Sequence, residues 1–352
     1  MNSPAPPRPL PRRAILALAT ALAPSLARAS DEELAAEPEI LIAGPAGGRL
    51  DRWGRLLSAA FQPALPSGTA LALTAVGGDD GVTGANQFTA RVAPDGNTLM
   101  LLPGDAALAW QVGDPRAKFD AAHWVAIAAG MSPAVVLART AGALRRGSQV
   151  RVAMAGPVGP DLAALLGLEL AGLVPVPVFG ANLGTVGMPS LAAGTVDAVL
   201  VRGEAAPGGH APLLAQGFSP LFSLGGVEPG GRDMTGRDPA VAQVPGLLEL
   251  GAMLGAPPPP MPLLSAWRGV AAAAQASFAL VLPQLAPAAL VALWRHAGSH
   301  AAGAPALHDA APAVRVVGTP EAHLLTQAMA PDPAALEALR TWMALRLKWS
   351  PT

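Results

Sequence analysis

Residues 91–102 read RVAPDGNTLMLL, and they constrain the chain more than any other stretch, because a helix end, a tight reversal and a buried strand follow one another directly. Pro94 presets φ, Asp95 can bond its own backbone, and Gly96 accepts the positive φ that completes the reversal. The apolar run at 99–102 then reads as a strand buried on both faces, as strands of parallel sheets are. Such strands end at ligand loops in open α/β sheets. This one runs into Pro103, Gly104 and Asp105, so that loop is a candidate binding element.

From residue 39 onward short apolar runs alternate with helix-like segments, the pattern of a parallel sheet wrapped by helices. Strands are expected at 39–43, 70–75, 98–102, 124–129 and 134–138, with helices at 50–61 and 84–91 between them. After the polar break Arg145-Arg146-Gly147-Ser148 a second set follows: strand 150–153, helix 161–171, strand 174–179, helix 186–193 and strand 197–201. Two similar α/β sets imply two lobes. The Gly-rich, charged stretch 225–237 reads as a surface loop, and the four-proline run 257–260 as a stiff crossover between lobes. Beyond it a strand is expected at 264–272 and a helix at 287–296. A last helix starts at Asp332-Pro333, with Asp as N-cap and Pro in the first helical position, and presents Leu336, Leu339, Met343 and Leu347 on one face.

Residues 1–29 read as an export signal: Arg8, Arg12 and Arg13, an apolar run at 14–26, then the small-residue cleavage site Ala27-Arg28-Ala29, cut near Ala29. The run is shorter than the roughly 20 residues that span a bilayer. Arg12-Arg13 hints at the twin-arginine route, but Pro11 stands where Ser or Thr usually precedes the pair, so Sec and Tat both stay open. The absence of cysteine excludes a lipoprotein anchor, a disulfide framework and any thiolate metal site, and the exported product is expected to be a soluble periplasmic or secreted protein. Removal of the signal takes away four arginines and no acid, which moves the formal net charge from −1 to −5. Such a chain has no basic footprint for nucleic acid.

Two glycine-rich loops follow the first two expected strands. Pro45-Ala46-Gly47-Gly48-Arg49-Leu50-Asp51 leads into one helix and Gly77-Gly78-Asp79-Asp80-Gly81-Val82-Thr83-Gly84 into the next. Bare N–H groups at a helix start can hold an anion, and glycine lets a ligand approach the main chain; a tight turn without ligand is the plainer reading of either loop alone. Neither matches a dinucleotide or P-loop fingerprint, so no cofactor is expected. His296 and His300 are spaced for one helix face, yet Gly298 between them and Gly303 beyond suggest a fraying helix end rather than a metal site. His308-Asp309 has no companion nucleophile, and neither GxSxG nor HExxH occurs, so no catalytic residue is expected. Trp53, Trp267 and Trp294 sit in apolar surroundings and read as core.

Four blocks, in this order, carry a family likeness: GPAGGRLDRWGRLL at 44–57, GGDDGVTGANQFTARVAPDGNTLMLL at 77–102, VPVFGANLGTVGMPSLAAGTVDAVL at 176–200 and RDPAVAQVPGLLELG at 237–251. Together they resemble the periplasmic solute-binding receptors of tripartite tricarboxylate transporters, the Bug or TctC-like family. The resemblance implies an α/β, two-lobed periplasmic binding protein fold of type II with the ligand in the cleft. The implied lobes are residues 38–140 plus 262–352, and 141–261. It implies a monomer that passes a small-molecule carboxylate or amino acid to the membrane permease of the transporter, gripped largely by backbone amides and ordered water. The positions matching its ligand-binding residues are Gly47, Gly48, Arg49, Asp51, Gly81, Thr83, Gly84, Gly104, Asp105, Gly159, Asp161 and Asp197.

The chain departs from the family where the ligand would lie. Asp105 stands where many relatives carry Ser or Thr, Asp79 and Asp80 add carboxylates to the second loop, and Gly159-Pro160-Asp161-Leu162 replaces a Gly-Ser/Thr pair. Pro160 cannot donate a backbone hydrogen bond. Carboxylates near an anion site oppose a carboxylate ligand unless Arg49, or an amine on the ligand, offsets them; the plainer reading sends Asp79 and Asp80 to solvent. The expected ligand is therefore an amino acid or another amine-bearing acid rather than a plain dicarboxylate. The alternative is a ligand-free interaction or sensor partner of the same fold.

Overall fold

The computed structural model describes residues 34–139, 141–180, 194–203, 215, 217–226 and 236–350. The helix expected at 186–193 and most of the loop at 225–237 lie outside the described residues.

The first sheet runs in the order β11-β4-β10-β3-β1-β2. Its strands are β1 (Glu39–Ile42), β2 (Ala72–Ala75), β3 (Thr98–Leu102), β4 (Trp124–Met131), β10 (Ala276–Pro283) and β11 (Arg315–Val317). β1 pairs in parallel with β2 and β3, whereas β10 lies antiparallel between β3 and β4. Central β1 and β3 bury Ile40–Ile42 and Leu99–Leu102 fully or nearly so, which is why both read as unbroken aliphatic runs. Edge strand β2 instead alternates between exposed and half-buried residues.

The second sheet runs β7-β6-β8-β5-β9, from β5 (Ala134–Arg139), β6 (Gln149–Met154), β7 (Val174–Phe179), β8 (Ala198–Arg202) and β9 (Phe218–Ser223). β6 pairs in parallel with β7 and β8, and β5 lies antiparallel to β8 and β9. The chain thus passes between sheets at Ser132-Pro133, immediately after β4. The expected boundary after residue 140 puts 134–138 in the first lobe, because an apolar strand follows another with no polar linker to mark the change; β5 instead pairs within the second sheet.

The helices are α1 (Arg49–Phe61), α2 (Val82–Arg91), α3 (Gly104–Val112), α4 (Leu162–Leu170), α5 (Leu247–Met253), α6 (Met261–Gln275), α7 (Ala288–Ala302), α8 (Pro305–Ala310), α9 (Thr319–Met329) and α10 (Pro333–Leu347). α6 corrects the strand expected at 264–272: the strand follows at β10. Alanine is the strongest helix former, and α6 carries Ala271–Ala274 behind a start set by Pro262. Its 3.6-residue period is invisible because its second half is buried on every side. Trp267 Nε1 donates to the Ala163 carbonyl on α4 (3.0 Å), while Gln111 Nε2 on α3 donates to the Gly269 (3.1 Å) and Met329 (2.7 Å) carbonyls. α6 is therefore a spine touched by helices that serve both sheets.

α7 continues through His296, Gly298 and His300 instead of fraying, with both histidines exposed. Gly298 is needed for packing, since a Cβ there would meet the Ile127 carbonyl at 2.7 Å. Trp53, Trp267 and Trp294 are core residues, 2 %, 0 % and 0 % exposed. Asp332 caps α10 by accepting the Ala335 N–H at 2.8 Å, with Leu339 and Met343 buried beneath.

Candidate functional site

The first loop closes on itself. Gly47, at φ +74°, donates its N–H to Asp51 Oδ2 (2.6 Å), and Arg55 Nη2 reaches the same oxygen (2.8 Å). The Arg55 guanidinium and then the Gly47 amide hold the buried Asp51 carboxyl below its ordinary value. Asp51 thus staples the loop to α1. Gly48 caps the helix in extended conformation, and Arg49 leaves the loop to donate from Nη1 to the Ser277 carbonyl (2.6 Å).

The second loop divides its two acids. Asp80 turns back: Oδ1 accepts the Val82 N–H (3.2 Å) and Oδ2 pairs with Arg116 (2.8 Å). Asp79 lies on the cavity wall. Gly81, at φ +72°, begins α2 against the Pro103 ring, and buried Gly84 lets α2 lie on Ala43 at the end of β1. Thr83 is exposed beside Gly77. Gly104 likewise has no room for a side chain, its face pressed on the Ala273 carbonyl at the end of α6, and this seats Asp105 in the first turn of α3.

The second sheet supplies the facing wall. β8 ends on Arg202, whose Nη2 stands 3.8 Å from Asp105 Oδ1, and Gly203 follows at φ +74°. Asp161, before α4, accepts the Ala155 N–H (3.1 Å). Burial pushes its carboxyl above the ordinary value, opposed by the Ala155 amide and by Arg202 and reinforced by Asp105. Gly159 takes the Leu162 N–H on its carbonyl and has open space on its Cα. Asp197 precedes β8 at its far end, about 16 Å from Arg202 at 3.3 Å per residue, and is spent on Arg151 (2.7 and 2.8 Å).

These walls enclose a cavity of about 420 Å³. Arg49, Asp105 and Asp79 line it from the first sheet's loops with Gly44, Pro45 and Leu50; Arg202 and Gly203 line it from the second. Ser132, Ala274 and Ser277 form its floor, where the two chain crossings meet. There the Ser132 N–H donates to the Gln275 carbonyl (3.0 Å) and the Ser132 and Ser277 hydroxyls bond each other. Of the twelve positions expected from the sequence, Arg49 and Asp105 line the cavity, and Asp161 lies within electrostatic reach of its charges. Gly47, Gly48, Asp51, Gly81, Gly84 and Gly104 shape the loops that carry the lining, whereas the structure does not bring Asp197 there. Arg202 is not among those twelve positions, although a cation closing the apolar run 198–201 at the strand end where ligand loops begin is a usable signal. Among the described residues no cluster of metal-ligating side chains occurs.

Two mixed sheets, crossed between twice, with a charged cavity between strand ends, define a two-lobed α/β binding-protein fold. The fold is that of the TctC-type solute-binding proteins. A TctC solute-binding protein from Polaromonas, solved without ligand, superposes with a TM-score of 0.61 at 18% identity, covering 88% of this chain and 98% of that one. MatC from Rhodopseudomonas palustris, with bound malate, gives 0.51 at 20% identity over 87% of this chain and 99% of that one. A second R. palustris protein, with adipate, gives 0.51 at 16% identity over 90% and 99%. No family model matches the chain, and no curated protein matches it.

Proposed function

We propose that this chain is a periplasmic solute-binding receptor of the tripartite tricarboxylate type, which captures a small carboxylate between its lobes and presents it to a membrane permease. The observation that carries this reading is the pair Arg49 and Arg202, one guanidinium from each sheet's loops on the wall of a single cavity. A carboxylate touching both is held by two lobes at once, so binding favours the arrangement that brings them together. The cavity volume, about 420 Å³, falls within the roughly 300–1,000 Å³ of small-molecule sites. Two proteins of this fold hold dicarboxylates, malate and adipate.

The lobes change over at Ser132-Pro133 and along α6, and the signal at 1–29 sends the protein to the periplasm as a monomer. A thermal-shift screen of small carboxylates, amino acids included, at millimolar concentration tests the reading. A ligand bound only by the native state raises apparent stability by about 2.7 kcal/mol at one hundred times its Kd. At least one carboxylate is expected to raise the melting temperature by several degrees, and a flat screen contradicts a receptor role.

A further inference from the structure

The cavity that serves the proposed receptor is balanced in charge. Arg49 and Arg202 supply two cations, and Asp79 and Asp105 two anions, on its walls. Arg202 and Asp105 belong to different sheets and face each other at 3.8 Å, each about a third exposed (35 % and 29 % of their side chains). At that spacing they attract without a direct hydrogen bond, and solvent reaches both.

A dianion entering such a cavity gains the two guanidinium groups but must lie against two carboxylates, with Asp161 a short way behind. It must also draw Arg202 away from Asp105. A zwitterion offsets both costs: its carboxylate takes Arg202 and its ammonium takes Asp105, so each protein charge that leaves the other gains an opposite partner. A hydroxyl in place of the ammonium leaves the Asp105 carboxylate facing the ligand carboxylate with no cation between.

Resting on the receptor reading, we infer that the ligand is an α-amino acid and that Asp105 is the residue that selects the amine. The chain would then discriminate against hydroxy acids of the same shape. Asp79 and Arg49, which also line the wall, accommodate the side-chain end of the ligand.

Matched pairs differing only in ammonium against hydroxyl test this by calorimetric titration of the whole protein: L-aspartate with L-malate, L-glutamate with L-2-hydroxyglutarate, L-alanine with L-lactate, and L-phenylalanine with L-phenyllactate. The best-bound amino acid is expected to bind at least about tenfold more tightly than its hydroxy twin. Asp105→Asn, nearly isosteric and without the charge, is expected to erase that ratio while melting as the parent does. Hydroxy acids bound as tightly as their twins overturn the amine inference and leave a carboxylate receptor standing. A ratio retained in Asp105→Asn overturns the role of Asp105. Failure of every compound to bind overturns both readings.

Discussion

The indole Nε1 of Trp294 donates a 2.8 Å hydrogen bond to the carbonyl of Gly96, which ties α7 to the turn that feeds β3. Gly96 holds φ at +81°, and a Cβ there would meet Leu290 of the same helix at 2.9 Å. Gly96→Ala is therefore expected to cost about 2–4 kcal/mol, from left-handed backbone strain and overpacking together. Trp294→Phe removes one bond and leaves a buried carbonyl unpaired, which costs about 1–3 kcal/mol. Urea unfolding of the two variants checks both values.

Gly104 separates fold from function at the start of α3. A methyl group there runs into the Ala273 carbonyl, which is backbone and cannot turn aside. Gly104→Ala is expected to destabilise by about 3 kcal/mol or more and to move Asp105. Gly142, with open space around it and no positive φ, is the control: Gly142→Ala should stay within about 0.5 kcal/mol of the parent. Equal unfolding midpoints for the two variants would contradict this packing.

Acid has opposite effects on two buried or paired carboxyls. Asp197 is held below its ordinary value, first by the Arg151 side chain, so its contribution is present above the unfolded-state value near about 3.9 and is lost as pH falls through the lower folded-state value. Asp197→Asn should lower the urea midpoint at pH 7, and the gap to the parent should close in acid. Asp238 is pushed up by burial, so folding is opposed as pH rises through its folded-state value. Asp238→Asn keeps an oxygen for the Ala240 N–H and should gain stability on the parent at pH 7, a gain that vanishes below about pH 4. Urea midpoints measured across pH 3–7 read both trends.

Much of the fold was legible because local chemistry and tertiary structure agree. Asp95 Oδ1 does accept a backbone N–H, from Asn97 at 2.9 Å, and Gly96 does take positive φ. Asp332 does cap the last helix. What was hidden follows from burial: α6 packs on nearly all sides and so shows no polar face, and β5 follows β4 with only Ser132-Pro133 to mark the change of sheet. At the site, the glycine loops could be read because positive φ and close approach demand glycine. Which carboxylate faces the ligand could not, because Asp79 and Asp80 are neighbours in sequence and only Arg116, distant from both, draws Asp80 away.

Calorimetric titration of the parent, Arg49→Ala and Arg202→Ala with the best ligand of the thermal-shift screen tests most directly whether one cavity binds a small carboxylate through cations from both lobes. The expected result is binding of one ligand per chain, weakened by about thirtyfold or more, some 2 kcal/mol, in Arg202→Ala and also reduced in Arg49→Ala. Affinity unchanged in both variants would contradict binding through those cations.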